Sequence, residues 1–167
     1  MKIIKNFLLK EDLLKLKNIF TGNTFPWFMA PIVTNDFRHF QHFHIFYIDQ
    51  KINSNYYDLM LPILKLIDPF IILRIKVNLI MKNEKIIEHG MHTDFPEKVK
   101  DCKITTGILY INNNNGYTKF ENGKKILSEE NKFIEFNERL RHTGTNCTDE
   151  LFRIVINFNY IKKNERN

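Results

Sequence analysis

The chain has little with which to staple or anchor itself. It carries two cysteines in 167 residues, Cys102 and Cys147, too few for a disulfide framework. No apolar run reaches the length of a membrane span. The start, Met1-Lys2-Ile3-Ile4-Lys5-Asn6-Phe7, has too short an apolar stretch for a secretion signal. Internal repeats, low-complexity tracts and linker-like stretches are also missing. These absences argue against a disulfide-rich secreted protein, a helical membrane protein and a repeat array. They leave the expectation of one soluble, cytoplasmic domain over residues 1–167, long enough to bury a sizeable core. The two thiols then read as incidental, with Cys102 near enough to the candidate site in sequence to be oxidation-prone.

The formal charge is +6, a mild pointer to an anionic partner. The basic residues are scattered (Lys82, Lys85, Lys98, Lys100, Lys124, Lys125, Lys162, Lys163), which fits a solvated surface better than a nucleic-acid tract. The abundance of Lys, Asn and Ile is what AT-rich codons supply, as in many microbial and viral genomes.

Periodicity predicts a helix over Lys10–Phe20, with Leu13, Leu14, Leu16, Ile19 and Phe20 among charges and Thr21-Gly22-Asn23 ending it. An aromatic loop, Phe25–Phe28, follows, and then a strand over Arg38–Ile48. A second helix is expected over about Ser54–Ile67, kinked at Pro62 and closed by Asp68-Pro69. From there the pattern is β: Phe70–Met81, a short strand Ile86–Met91, then Lys103–Asn112. Gly116–Phe120 and Lys124–Leu127 flank an Asn-Gly turn, Asn131–Phe136 alternates, and Leu151–Tyr160 is rich in β-branched and aromatic residues. This order predicts a mostly β protein with flanking helices. Its core is a double-stranded β-helix (jelly roll, cupin-like) over 70–161, supported by N-terminal helices and strands over 1–69.

Within that frame, His92-Thr93-Asp94 ends one strand, His142 sits in a small polar loop, and Arg153 follows on the closing strand. Two imidazoles and one carboxylate can occupy one face of an Fe(II) ion and leave the opposite positions open. A guanidinium on the next strand can clamp the far carboxylate of a chelating oxo-acid. Arg153, Val155, Asn157 and Asn159 alternate with Phe152, Ile154, Ile156 and Phe158, so the first set forms a mixed, polar face fit to line a pocket. His42 and His44 share a strand face and offer a rival metal pair, but no carboxylate follows at a useful spacing, so a structural or substrate-edge role is expected. His89 reads as a strand residue facing away from the metal.

From Arg74 to Tyr160 these residues resemble the 2-oxoglutarate/Fe(II) oxygenases, in particular the prolyl-hydroxylase-like branch with small phage and bacterial members. The resemblance implies Fe(II) bound by His92, Asp94 and His142, with 2-oxoglutarate as co-substrate, its distal carboxylate on Arg153, and O₂ as oxidant. It also implies Tyr110, in Leu109-Tyr110-Ile111-Asn112, as a second contact to that carboxylate. Asn78 is implied as a pocket residue, and Asn157 stands where the family often has a hydroxyl. One departure is Ile80, where relatives often carry Tyr, so part of the co-substrate hydrogen bonding is missing.

The resemblance implies hydroxylation of a C–H bond, with a prolyl or other amino-acid residue of a peptide or protein as leading substrate and a free amino acid or small metabolite next. Nucleic-acid demethylases of the superfamily have a second Arg where this chain has Asn159, which counts against a nucleic-acid partner. The segment Phe25–Tyr47, with Trp27 and Arg38, is expected to border the substrate mouth. Two other classes stay open at this point: a cupin-like metalloenzyme that does not use 2-oxoglutarate, and a metal-free jelly-roll binding module.

Overall fold

The computed structural model describes residues 1–32, 40–94 and 103–163. Arg38, Lys98, Lys100 and Cys102 lie outside the described residues. The elements run β1 (Lys2–Ile4), α1 (Lys10–Phe20), β2 (Phe28–Pro31), β3 (Phe40–Ile48), β4 (Lys51–Ile52), a 3-10 turn (Tyr57–Met60) and α2 (Leu61–Ile67). Then come β5 (Pro69–Met81), β6 (Ile104–Tyr110), β7 (Tyr117–Phe120), β8 (Lys125–Leu127), β9 (Lys132–Asn137), β10 (His142–Gly144) and β11 (Phe152–Lys162). An eight-stranded antiparallel sheet has the order β1-β9-β6-β11-β5-β3-β2, with β4 beside β3, and a three-stranded sheet has the order β10-β7-β8. This is the mostly β jelly roll with flanking helices that the sequence predicts.

Alternation along the central strands separates two cores. On the outer face Leu109, Phe133, Ile154, Ile156, Phe158, Ile75 and Val77 meet Leu13, Leu16 and Phe20 of α1 and Met60 and Ile63 around α2. On the inner face Ile108, Ile134, Phe136 and Val155 pack against Phe120 and Ile126 of the small sheet. Every residue of β6 is buried, as befits a strand covered on both sides. Each fully buried Leu, Ile or Phe contributes about 1.5–3 kcal/mol of transfer free energy to this sandwich.

The helix over Lys10–Phe20 has the predicted bounds. Its buried residues, Leu13, Leu16 and Phe20, fall on one stripe, and Glu11 and Asp12 in its first turn and Lys17 in its last suit the helix dipole. Three other expectations are corrected. Pro62 does not kink a long helix. It sits in the first turn of α2, where its missing N–H costs nothing, and a 3-10 turn replaces the helix before it. Ile86–Met91 forms no strand; the segment touches the small sheet through the isolated bridges Glu88↔Thr145 and His92↔His142. The aromatic loop ends in a strand, since Phe28–Pro31 pairs with β3. The large sheet also takes in β1, which pairs with β9, so strands from before residue 70 extend it at both edges.

His44 is a structural residue. Its ring nitrogens lie 2.8 Å from the Pro26 carbonyl and 2.7 Å from the Ser54 hydroxyl. Burial, opposed by the Pro26 hydrogen bond, lowers its pKa. Trp27 belongs to the same side of the molecule. Its indole N–H donates to the Phe20 carbonyl and its ring packs against Phe20 and Phe25, so it props α1, and it is not among the residues that line the cavity described below.

Candidate metal centre and carboxylate pocket

Two backbone hydrogen bonds make His92 and His142 neighbours. Each donates its N–H to the other's carbonyl at 2.9 Å, and the ring centroids stand 4.8 Å apart. His142 N–H and C=O are thus spoken for by the strap that carries His92, so the two imidazoles project from one rung. The Nδ1 of His92 faces the Gly90 carbonyl at 3.1 Å, and that of His142 faces the Leu140 carbonyl at 3.1 Å. A carbonyl accepts only, so the proton sits on each Nδ1 and the Nε2 lone pairs are left for a cation.

Asp94 completes the set: one ligand atom from each of His92, Asp94 and His142 lies within 4.8 Å of the others. Its carboxylate is held from three directions. Arg74 Nη2 donates to Oδ1 at 3.1 Å, while Thr106 Oγ1 at 3.0 Å and Asn159 Nδ2 at 2.8 Å donate to Oδ2. Asn159 also accepts from Arg74 Nε at 3.0 Å, which closes the ring. A carboxylate offers about four lone-pair sites; these bonds use three and leave one on Oδ1. Burial works to raise the Asp94 pKa, but the charge of Arg74, the favourable electrostatics of the two neighbouring imidazoles and the Asn159 bond hold it below the usual value. His142 is itself shifted down, chiefly by burial, against the pull of Asp94. The donor set of two neutral imidazoles and one ionised carboxylate fits Fe(II).

The three ligands line a cavity of about 200 Å³, whose walls include Arg74, Lys76, Asn78 and Ile80 of β5 and Arg153, Val155 and Asn157 of β11. Register explains the wall. Arg153 stands opposite Ile80, Val155 opposite Asn78, Asn157 opposite Lys76 and Asn159 opposite Arg74, all on one parity.

Arg153 is 2% exposed, and none of the ion pairs among the described residues involves it. Its Nε is tied to the Ser128 hydroxyl at 2.7 Å. Its Nη atoms make only long bonds, 3.4 Å to the Thr145 carbonyl and 3.3 Å to the Thr118 hydroxyl. Burial pulls its pKa down, with Tyr110 and Cys147 acting in the opposite sense. A buried guanidinium without a carboxylate is costly unless a ligand supplies one. Two glycines shape its surroundings. A Cβ on Gly116 would come within 2.6 Å of Arg153 Cδ and 2.5 Å of the Asn146 carbonyl oxygen, whereas one on Gly144 would lie 3.5 Å from Arg153 Nη1.

Of the residues predicted from sequence, His92, Asp94, His142, Arg153, Asn78, Asn157 and Ile80 all line this cavity. Tyr110 lies behind it. It is fully buried beneath the guanidinium, 5.6 Å from ring centroid to Arg153 Cζ. Its hydroxyl donates to Thr118 Oγ1 at 2.9 Å, and burial, opposed by Arg153 and Thr118, pushes its pKa up to about 12. Thr118 accepts from both Tyr110 and Arg153, which leaves its own proton for a ligand oxygen. His89 corrects a prediction: it lines the cavity with the triad instead of facing away. Ile32 and Gln41 are the described residues of the Phe25–Tyr47 segment that reach the cavity. The sequence pattern does not single out Arg74, Thr106 or Thr118, because only strand register brings them to Asp94 and Arg153; Asn159, expected on the polar face of the closing strand, is turned by the same register to Asp94.

No protein-family model matches the sequence, and no curated protein does either. Solved structures do. A 2OG-Fe(II) oxygenase family oxidoreductase from Burkholderia pseudomallei aligns over 97% of this chain and 84% of its own, with TM-score 0.68 and 14% identity. A prolyl hydroxylase from Trichoplax adhaerens, solved with a hypoxia inducible factor peptide fragment, aligns over 99% and 84%, with TM-score 0.66 and 17% identity. The viral collagen prolyl hydroxylase of Paramecium Bursaria Chlorella virus-1, solved with 2OG, aligns over 97% and 96%, with TM-score 0.56 and 17% identity. At such identities the shared property is the architecture: this chain has the fold of the 2-oxoglutarate/Fe(II) oxygenases.

Proposed function

We propose that the protein is an Fe(II)- and 2-oxoglutarate-dependent oxygenase that hydroxylates a C–H bond of an amino-acid residue, prolyl foremost. His92, Asp94 and His142 hold the iron, and Arg153 holds the distal carboxylate of 2-oxoglutarate. The observation that carries this reading is the buried Arg153 guanidinium, which lacks a carboxylate partner among the described residues and opens into the cavity that holds the triad. The cupin-like alternative leaves that buried charge without a reason.

Iron with 2-oxoglutarate and O₂ supplies oxidation of C–H to C–OH, coupled to loss of CO₂ and formation of succinate. The chain supplies position and electrostatics. Ser128 fixes Arg153 Nε, so the Nη edge is presented to a carboxylate. Thr118 offers its hydroxyl proton to the same group, and Tyr110 holds Thr118 from behind. This arrangement provides a hydroxyl donor although Ile80 has none. Arg74, Thr106 and Asn159 keep Asp94 ionised and aimed, and the Gly90 and Leu140 carbonyls keep both imidazoles in the ligating tautomer.

The test is anaerobic addition of Fe(II) and then 2-oxoglutarate, with the visible charge-transfer band of the chelate as readout. The band is expected in the wild-type protein, absent in His142→Ala and weakened in Arg153→Ala. A folded wild-type protein that binds iron and shows no band refutes the co-substrate.

A further inference from the structure

Lys76 is a third cation in the cavity beside Arg74 and Arg153, and the chemistry proposed above gives it no task. It stands on the cavity face of β5 between Arg74 and Asn78, opposite Asn157 on β11 and Ile45 on β3. Its Nζ lies 4.8 Å from the centroid of the Phe43 ring, so the ammonium leans toward β3. The Arg153 guanidinium is drawn the other way, to Ser128, Thr118 and Thr145. Lys76 is also four residues along β5 from Ile80, the partner of Arg153, a separation of about 13 Å of strand. A carboxylate seated on Arg153 therefore leaves Lys76 uncompensated.

None of the ion pairs among the described residues involves Lys76. Burial, then the repulsion of Arg74, lowers its pKa to about 8 against the attraction of Asp94. Beside it, Asn78 Oδ1 and Asn157 Oδ1 are buried with no donor. A half-buried cation that faces the cavity without an ion-pair partner among the described residues, and two amides with unmet acceptors, describe a ligand that brings a negative group together with N–H donors. A neutral or cationic ligand would leave the charge unpaired. A phosphate dianion asks for more than one cation, and the neighbouring Arg74 is already engaged by Asp94.

We infer that the substrate carries a carboxylate that pairs with Lys76, as a free amino acid or a terminal or acidic residue of a peptide does. This rests on the cavity being the oxygenase site proposed above. The inference makes Lys76 a specificity-determining residue and narrows the substrate from any peptide residue to one bearing an acid beside the reacting carbon.

Succinate release by the wild-type protein with Fe(II) and 2-oxoglutarate is followed on four matched sets. These are the L-amino acids as free acids, the same compounds as carboxamides, and the same residues at the centre of neutral and of Asp-flanked tripeptides. Free acids or Asp-flanked peptides are expected to be preferred over their neutral counterparts by about tenfold or more in kcat/KM, through KM. Either arm supports the inference, and comparison of the two tells the free acid from the peptide. Lys76→Met should bring the preference close to parity, and Lys76→Arg should restore it. Equal use of amides and neutral peptides, release by none of the acid-bearing compounds, or a preference that survives Lys76→Met each overturns it. The oxygenase reading stands or falls separately, on the charge-transfer band of the wild-type protein measured without any substrate.

Discussion

On one face of β11, Ile154, Ile156 and Phe158 sit in the apolar core under the helices. On the other face, one residue out of step, Arg153 and Asn157 line the cavity and Asn159 holds the candidate ligand Asp94. The two faces share a backbone, a register and a level of burial, and they differ in what burial does for them. The outer side chains stabilise the fold by leaving water. The inner ones are polar groups kept in a dry place, and each is satisfied by a neighbour or stands ready for a ligand. Stability is concentrated on one parity of the strand and chemistry on the other, so substitutions on the two faces should fail in different ways.

Phe158→Ala should separate the faces most sharply. Phe158 is 1% exposed, and its truncation should cost about 3–5 kcal/mol in chemical denaturation, while the protein that remains folded still gives the 2-oxoglutarate charge-transfer band. Arg153→Met should do the reverse. The affinity for 2-oxoglutarate should fall about 100-fold, a loss of about 2–3 kcal/mol. The denaturation midpoint of the protein without co-substrate should hold or rise, because an uncompensated buried charge has gone; a clear drop would show that Arg153 supports the fold as Phe158 does. Asn159→Ala removes the bond that ties Asp94 to Arg74 and should weaken Fe(II) binding by about 10–100-fold in a metal-competition assay.

The smallest effect is in pH, and it tests both faces together. His44 on the outer side and His142 in the cavity both have pKa values lowered by burial. The unfolded chain, near pKa 6.5, binds these protons more readily than the native protein does. Their contribution is therefore complete above about pH 6.5 and is lost as pH falls through the folded values. Metal-free protein should lose denaturation midpoint over that acid window, less so in His44→Gln and in His142→Gln. An unchanged slope in both variants would sink the assignment.

What could be read from the chain was whatever adjacency along it encodes. The His92-Thr93-Asp94 pair, the later His142 and the alternation through Arg153 are local patterns, and so is the stripe of Leu13, Leu16 and Phe20. The supports of the site are of another kind. Arg74, Thr106 and Asn159 meet at Asp94 only because β5 and β6 flank β11 in a particular register, and no periodicity reports a register. His89 departs from expectation for a related reason: strand alternation through Ile86–Met91 turns it away from the metal, but there the chain makes isolated bridges and follows no strand parity. Helical periodicity places Pro62 as a kink inside one long helix, whereas it opens a shorter one. The pairing of Lys2–Ile4 with Phe133–Glu135 is a contact between distant segments and left no local trace.

The two glycines beside Arg153 set how this pocket can drift over generations of mutation. Gly116 is closed to growth by three neighbours, Arg153, Asn114 and the Asn146 carbonyl, and because the last is backbone no compensating side-chain change elsewhere can make room. Gly144 faces the guanidinium across an ordinary contact distance and can accept a methyl group. A lineage under pressure to accept a shorter or longer oxo-acid therefore has one door and one wall: variation should accumulate at position 144 and stay away from 116.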